Sequence, residues 1–258
     1  MNLRRLIFVL IPLSAVGCGS DNKPLTPTEY ASQYAQEVCN AVSPACLVPT
    51  ASCTAVQIQG RTAQAQAAAL ANRFFESANA QTCLGKVSST YGRLNQGAVA
   101  LKGADYEAVM HVCDLVYRGL NQANQPCAVE ADCVDGLICD TGGGKNLCGV
   151  KTQVLQGAGC GNAGEICPVG YYCGTSATTR ALTCQTKVGL GGACSDAVPC
   201  LENLRCSANV CIAQSDYGED CTVDQDCSSG FCEPFAFLCG DDIRFANGNP
   251  ACLAMGGS

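Results

Sequence analysis

The chain has 258 residues, a formal net charge of −7, no tryptophan, one histidine and 23 cysteines. That length allows one large domain or several small ones, and cysteine close to a tenth of the composition marks a disulfide scaffold of an oxidising compartment. No basic run suits nucleic acid, and a single histidine, His111, excludes any mechanism or metal site that needs two.

Met1 to Gly17 has the parts of an export signal: Arg4 and Arg5, a short apolar run from Leu6 to Leu13, then small residues. The run is too short to span a bilayer as a stable helix. Its end, Ser14-Ala15-Val16-Gly17-Cys18, resembles the bacterial lipobox, in which the cysteine is acylated and becomes the new N-terminus. Removing residues 1–17 takes away two cations and no acid, so −7 becomes −9. Setting Cys18 aside leaves 22 cysteines, an even number, whereas an odd total asks for one cysteine with another task. The expected partner of Cys18 is therefore the membrane, through its acyl chains, and Gly19 in place of Asp points to the outer membrane by the same resemblance. Residues 18–25 hold the lipidated cysteine and a polar, Pro-broken tether.

Residues 26–122 are expected to form a helical domain. Thr26-Pro27-Thr28-Glu29 is a helix start with a capping box, followed by an apolar face of Tyr30, Tyr34, Val38 and Val42 that Pro44 should end. A second helix is expected from about Thr54 to Thr82, with Val56, Ala63, Ala67, Leu70, Phe74 and Ala78 on its inner stripe and Gly60 as a kink. A short helix from about Leu84 to Leu94 and another from Asp105 to Arg118, capped by Gly119, complete the set. Cys39 and Cys113, each mid-helix, are candidate helix-to-helix staples, and His111 is expected at the surface.

From Cys127 the cysteines fall into four quartets: Cys127, Cys133, Cys139 and Cys148; Cys160, Cys167, Cys173 and Cys184; Cys194, Cys200, Cys206 and Cys211; Cys221, Cys227, Cys232 and Cys239. The module boundaries are set at 123–152, 153–188, 189–214 and 215–240, with a tail at 241–258. Gaps of four to ten residues, with no C-x2-C pair, favour structural disulfides over zinc, and no metal or cofactor is expected. Modules of about 30 residues need cross-links to fold, two bridges each at about 2–4 kcal/mol. Four cysteines allow three pairings, so connectivity stays open.

Gly157, Gly191 and Gly218 each stand three residues before the first cysteine of their module, and Gly136, Gly170, Asn203 and Gly230 each precede a large apolar residue that should pack on the bridges. These are tight-turn positions that tolerate positive φ. The acids Glu130, Asp132, Glu165, Asp196, Asp220, Asp224 and Asp226 read as caps on turns, with calcium binding as the alternative. Gly142-Gly143-Gly144-Lys145 lacks a P-loop's spacing and reads as a flexible loop. If each quartet closes on itself, Cys39, Cys46, Cys53, Cys83, Cys113 and Cys252 remain, so Cys252 should bond back to the helical part. The expected fold class is an N-terminal helical bundle followed by four small disulfide-stapled modules with short hairpins.

The pattern C-x5-C-x2-Gly-Φ-x-C with a later fourth cysteine resembles the Dickkopf N-terminal cysteine-rich region. Cys127 to Cys148 fits best and Cys221 to Cys239 next, while Asn203 and the longer first gap of the second module depart from it. The whole layout also resembles lipoproteins of myxobacteria and their relatives. The anchor, the tether, the repeated modules and the lack of a catalytic motif point to a lipid-anchored envelope protein that binds a protein or a polysaccharide, or acts as a structural spacer, and to no enzyme. A protease inhibitor is the alternative, offering Thr175–Leu182 with Arg180, or Leu201–Arg205, as a rigid loop.

Overall fold

The computed structural model describes residues 23–94 and 100–256. Residues 1–17, Cys18 and residues 19–22 of the tether lie outside the described residues. Helix α1 (Pro27–Cys46) starts as its sequence dictates. The Thr26 hydroxyl accepts the N–H of Glu29, and the Glu29 carboxylate accepts the N–H of Thr26 at 2.8 Å. Tyr30, Tyr34, Val38 and Val42 are buried together. Pro44 does not end the helix but stands inside its last turn. So close to the C-terminus a missing N–H forfeits a single ladder bond. Leu47 ends the helix instead, with φ 54 and its N–H bonded to Ser43 O.

The expected long second helix is two helices, α2 (Thr50–Leu70) and α3 (Ser77–Tyr91), and α3 absorbs the short helix placed at Leu84–Leu94. Asn72 turns the chain at φ 55. Strand β1 (Phe74–Phe75) then pairs antiparallel with a strand formed after helix α4 (Gly103–Asp114). Aromatic residues fit strands, and here a tertiary partner overrides helical propensity. Gly60 lies within α2 and does not break it.

The inner stripe assigned to α2 is also corrected. Val56, Ala63, Ala67, Leu70, Phe74 and Ala78 are all exposed. The side turned inward carries Cys53, Gln57, Arg61, Gln64, Ala65 and Ala68. Two contacts set this rotation: the Cys39–Cys53 bridge to α1, and the Arg61 guanidinium 4.0 Å from the Tyr34 ring centre.

Strand β2 (Ala100–Lys102) leads into α4, which ends four residues earlier than expected. Its sequel is β3 (Tyr117–Arg118), the partner of β1. Val109, Cys113, Val116 and Tyr117 are buried, but Leu120 is exposed. Gly119 caps no helix. A Cβ there would lie 2.1 Å from the Asp132 carbonyl oxygen, so this glycine permits a close backbone approach.

Helix α1 packs on α2 and α3, and α3 packs on α4 through Cys83–Cys113. Their core is not theirs alone: Phe231, Ile243, Phe245, Cys252 and Met255 from the far end of the chain lie within it. The tail supplies a strand (Asp242–Arg244) antiparallel to β2, and a short helix (Pro250–Ala254) whose Cys252 is bonded to Cys46.

Candidate binding surface

The four modules share one frame. In each, the first cysteine bonds the third and the second bonds the fourth: Cys127–Cys139 and Cys133–Cys148, Cys160–Cys173 and Cys167–Cys184, Cys194–Cys206 and Cys200–Cys211, Cys221–Cys232 and Cys227–Cys239. The third and fourth cysteines face each other across an antiparallel hairpin. The hairpins are β4 (Ile138–Asp140) with β5 (Leu147–Gly149), β8 (Tyr171–Thr175) with β9 (Leu182–Thr186), β10 (Leu204–Ser207) with β11 (Val210–Ala213), and β12 (Cys232–Glu233) with β13 (Leu238–Cys239). Strands β6 (Thr152–Gln153) and β7 (Glu165–Ile166) add a parallel pair where the first module runs into the second, and Asp242–Arg244 is β14. The variable cysteine gap is thus the hairpin tip. Facing residues of a hairpin project to one side, so two bridges stack there. That stacking brings three sulfurs within 4.8 Å in every module, but each is already bonded to another sulfur and is no thiolate for a metal.

A repeated hydrogen bond locks the frame. Asn124, Gly157, Gly191 and Gly218 have φ of 66, 70, 76 and 85, and each donates its N–H to the carbonyl of the fourth cysteine at 2.8–3.2 Å. Three of these positions were legible as glycines. Asn124 was not, although asparagine is the other residue that tolerates this conformation. Before the third cysteine, Gly136, Gly170 and Gly230 have positive φ, but Asn203 does not. Leu204 closes that turn by donating to Leu201 O at 2.9 Å. Leu137, Tyr171 and Leu204 pack on their own bridges. Phe231 departs from the expectation: it enters the helical core over Gly103, where a Cβ would meet its ring at 2.5 Å.

Of the seven acids read as turn caps, Asp132, Glu165, Asp224 and Asp226 accept backbone N–H groups. Asp132 accepts from Ala128 and Val129 at 2.7 and 3.1 Å, Asp226 from Thr222 and Val223 at 2.9 and 3.2 Å, and Glu165 from Asn162 at 2.9 Å. Burial works against the charged forms of Asp132 and Asp226, yet these N–H groups, with Arg73 beside Asp132, hold both carboxyls below their usual range.

The junctions between modules carry residues that sequence reasoning missed. Gly142–Lys145 is no flexible loop; it forms a 3-10 turn and delivers Lys145 into the second module. The Lys145 ammonium pairs with Asp140 at 2.6 Å and donates to the carbonyls of Cys160 and Asn162 at 2.7 and 3.0 Å. Both side chains are about 5 % exposed or less. Asp140 also accepts N–H bonds from Gly142 and Gly164. Between the second and third modules, Glu202 accepts from Lys187 Nζ and from the Gly170 N–H, both at 2.8 Å. These two donors bring its carboxyl down to about 2. The first module meets the helices through Arg118, whose buried guanidinium donates to the carbonyls of Cys133 and Val134, and through Arg73, 2.8 Å from Asp132. No local motif announces these junctions, because apart from the Asp140–Lys145 pair and the Gly142 bond to Asp140, their contacts join residues of different modules or domains.

Residues outside the junctions form the candidate surface. The tips Ala177–Ala181 of the second module and Ala208–Val210 of the third are exposed, as is Phe237 of the fourth. An open groove of about 200 Å³ runs between the fourth module and the tail, past Tyr217, Leu238, Asp242 and Arg244. His111 is 67 % exposed and lies 4.0 Å from Glu130 in a groove whose lining has no hydroxyl or thiol. Arg180, the inhibitor candidate, has φ 58 and bonds back to Ser176 O, and Arg205 is paired inside β10.

The fold is that of a disulfide-rich α plus small-sheet protein with repeated cysteine-rich modules. No protein-family model, no curated protein and no solved structure matches this chain. Among the described residues no helix is long and apolar enough to cross a membrane.

Proposed function

We propose that this chain is a non-enzymatic lipoprotein of the bacterial outer membrane, held by acylated Cys18, whose helical bundle carries Dickkopf-like modules that bind an envelope protein or polysaccharide. One observation carries the binding reading: four modules repeat one frame of bridges and hydrogen bonds while their tips differ in length and chemistry. A constant support with variable tips suits recognition by several weak contacts acting together. Pairing of all 22 described cysteines suits an oxidising compartment outside the cytoplasm.

The anchor is tested by labelling expressing cells with radioactive palmitate. The full chain should take up label and partition with the outer membrane, and Cys18→Ser should do neither; an unlabelled wild-type chain overturns the anchor. Binding is tested by cross-linking the native ectodomain to envelope fractions, with a reduced and alkylated sample as control. A partner captured equally by both samples, or by neither, counts against the modules as the binding element.

A further inference from the structure

From Val38 to Asn72 the chain has a single charged residue, Arg61. Arg61 is turned inward onto Tyr34. The solvent face of α2 is therefore uncharged over its 21 residues, about 30 Å at 1.5 Å per residue. Apolar side chains stand out on it (Val56, Leu70) and at its two ends (Leu47 before it, Phe74 in β1 after it). Leu47, just before the helix, is 75 % exposed, Val56 38 %, Leu70 88 % and Phe74 54 %. In a chain of net charge −7 this is a long face without the charge that normally keeps surfaces in water. The charges at its far corner are Glu76, Lys23 paired with Glu29 at 3.3 Å, and Arg73 paired with Asp132 at 2.8 Å.

The tether enters the fold at that same corner. Leu25 packs on the helical core and donates its N–H to the Ser77 hydroxyl at 2.8 Å. Ser77 is three residues beyond Phe74, and Leu70 four residues before it. Leu25 is seven positions along the chain from Cys18, a reach of at most about 25 Å. Acyl chains on Cys18 would thus hold the bilayer close to Leu70 and Phe74.

We propose that the outer face of α2, led by Leu70 and Phe74, rests on the lipid surface that holds the anchor; this builds on the lipid-anchored reading above. An uncharged face loses no ion hydration on entering the headgroup region, and its contact strengthens with the apolar area it buries. The contact is too small to recruit a protein alone. It forms because the anchor makes it intramolecular at high effective concentration. Two points of attachment then fix the orientation of the modules relative to the membrane.

The absence of tryptophan makes the test clean. The full lipidated chain carrying Phe74→Trp is reconstituted into phosphatidylethanolamine–phosphatidylglycerol vesicles with brominated acyl chains. Val210→Trp, on an exposed hairpin tip of the third module, serves as the distant control. At least twofold quenching of Phe74→Trp, with the control unquenched, is the expected result. Leu70→Trp gives the same reading should position 74 disturb the β1–β3 pair. An unquenched reporter in protein that floats with the vesicles overturns the docking and leaves the anchor standing. A blue-shifted but unquenched reporter shows that another protein surface, such as a second copy, covers the face, and also overturns it. Protein that does not float removes the anchor and this inference together.

Discussion

Asp140 and Lys145 show how much depends on single side chains at a junction. A buried ammonium is tolerated only with an anion and further acceptors around it, and Asp140 with the carbonyls of Cys160 and Asn162 supplies them. Asp140→Asn should therefore destabilise the chain by about 3–5 kcal/mol in chemical denaturation. Asp140→Asn with Lys145→Met should cost less than the single change, because no unpaired charge is left. Glu202 gives a pH signature. Its carboxyl is lowered to about 2 in the folded chain, by Lys187 first and then by the Gly170 N–H, against an ordinary 4.5. The stabilisation is complete above about 4.5 and is lost as pH falls towards 2. The carboxyl is largely exposed, so the effect stays below about 1 kcal/mol. Comparing denaturation at pH 5.5 and pH 3 should show it, and Lys187→Met should reduce the difference by the share of Glu202, leaving that of Asp132 and Asp226.

Among the elements, α1 was the most legible, because its cap, proline and apolar spacing agree with one another. The division between α2 and α3 was not. Alanine-rich sequence favours helix throughout, and only pairing with Tyr117–Arg118 explains why Phe74 and Phe75 extend. The rotation of α2 misled for a physical reason too. Its inner side is polar, held by a disulfide and by Arg61 over an aromatic ring, so hydrophobic periodicity pointed to the wrong face. The modules were legible by spacing. Their glycine turns and acid caps follow from local chemistry, whereas the shared pairing of first with third and second with fourth cysteine depends on hairpin register.

At the scale of the whole molecule, the modules do not trail from the helices as an open array. The first is fastened by Arg118 and Arg73, and the fourth by Phe231, while the tail threads a strand and a helix back into the helical core. The chain closes on itself, and Cys46–Cys252 seals the closure across a sequence separation of 206. Replacing both cysteines by alanine should cost about 2–5 kcal/mol. It should also make the tail the first site of proteolysis, seen by mass spectrometry of limited digests; a tail as resistant as the wild type's would show that β14 and the buried Ile243 and Phe245 suffice. The sequence by itself determined the four cysteine quartets, the cap that starts the first helix, the turn positions and the leftover cysteine in the tail, because each is a matter of composition or local spacing. Only the tertiary structure decided which face of α2 meets water, that a glycine-rich loop delivers a buried lysine, and that the last module shares the helices' core. Those outcomes depend on partners far apart in the chain, whose mutual burial no local pattern records.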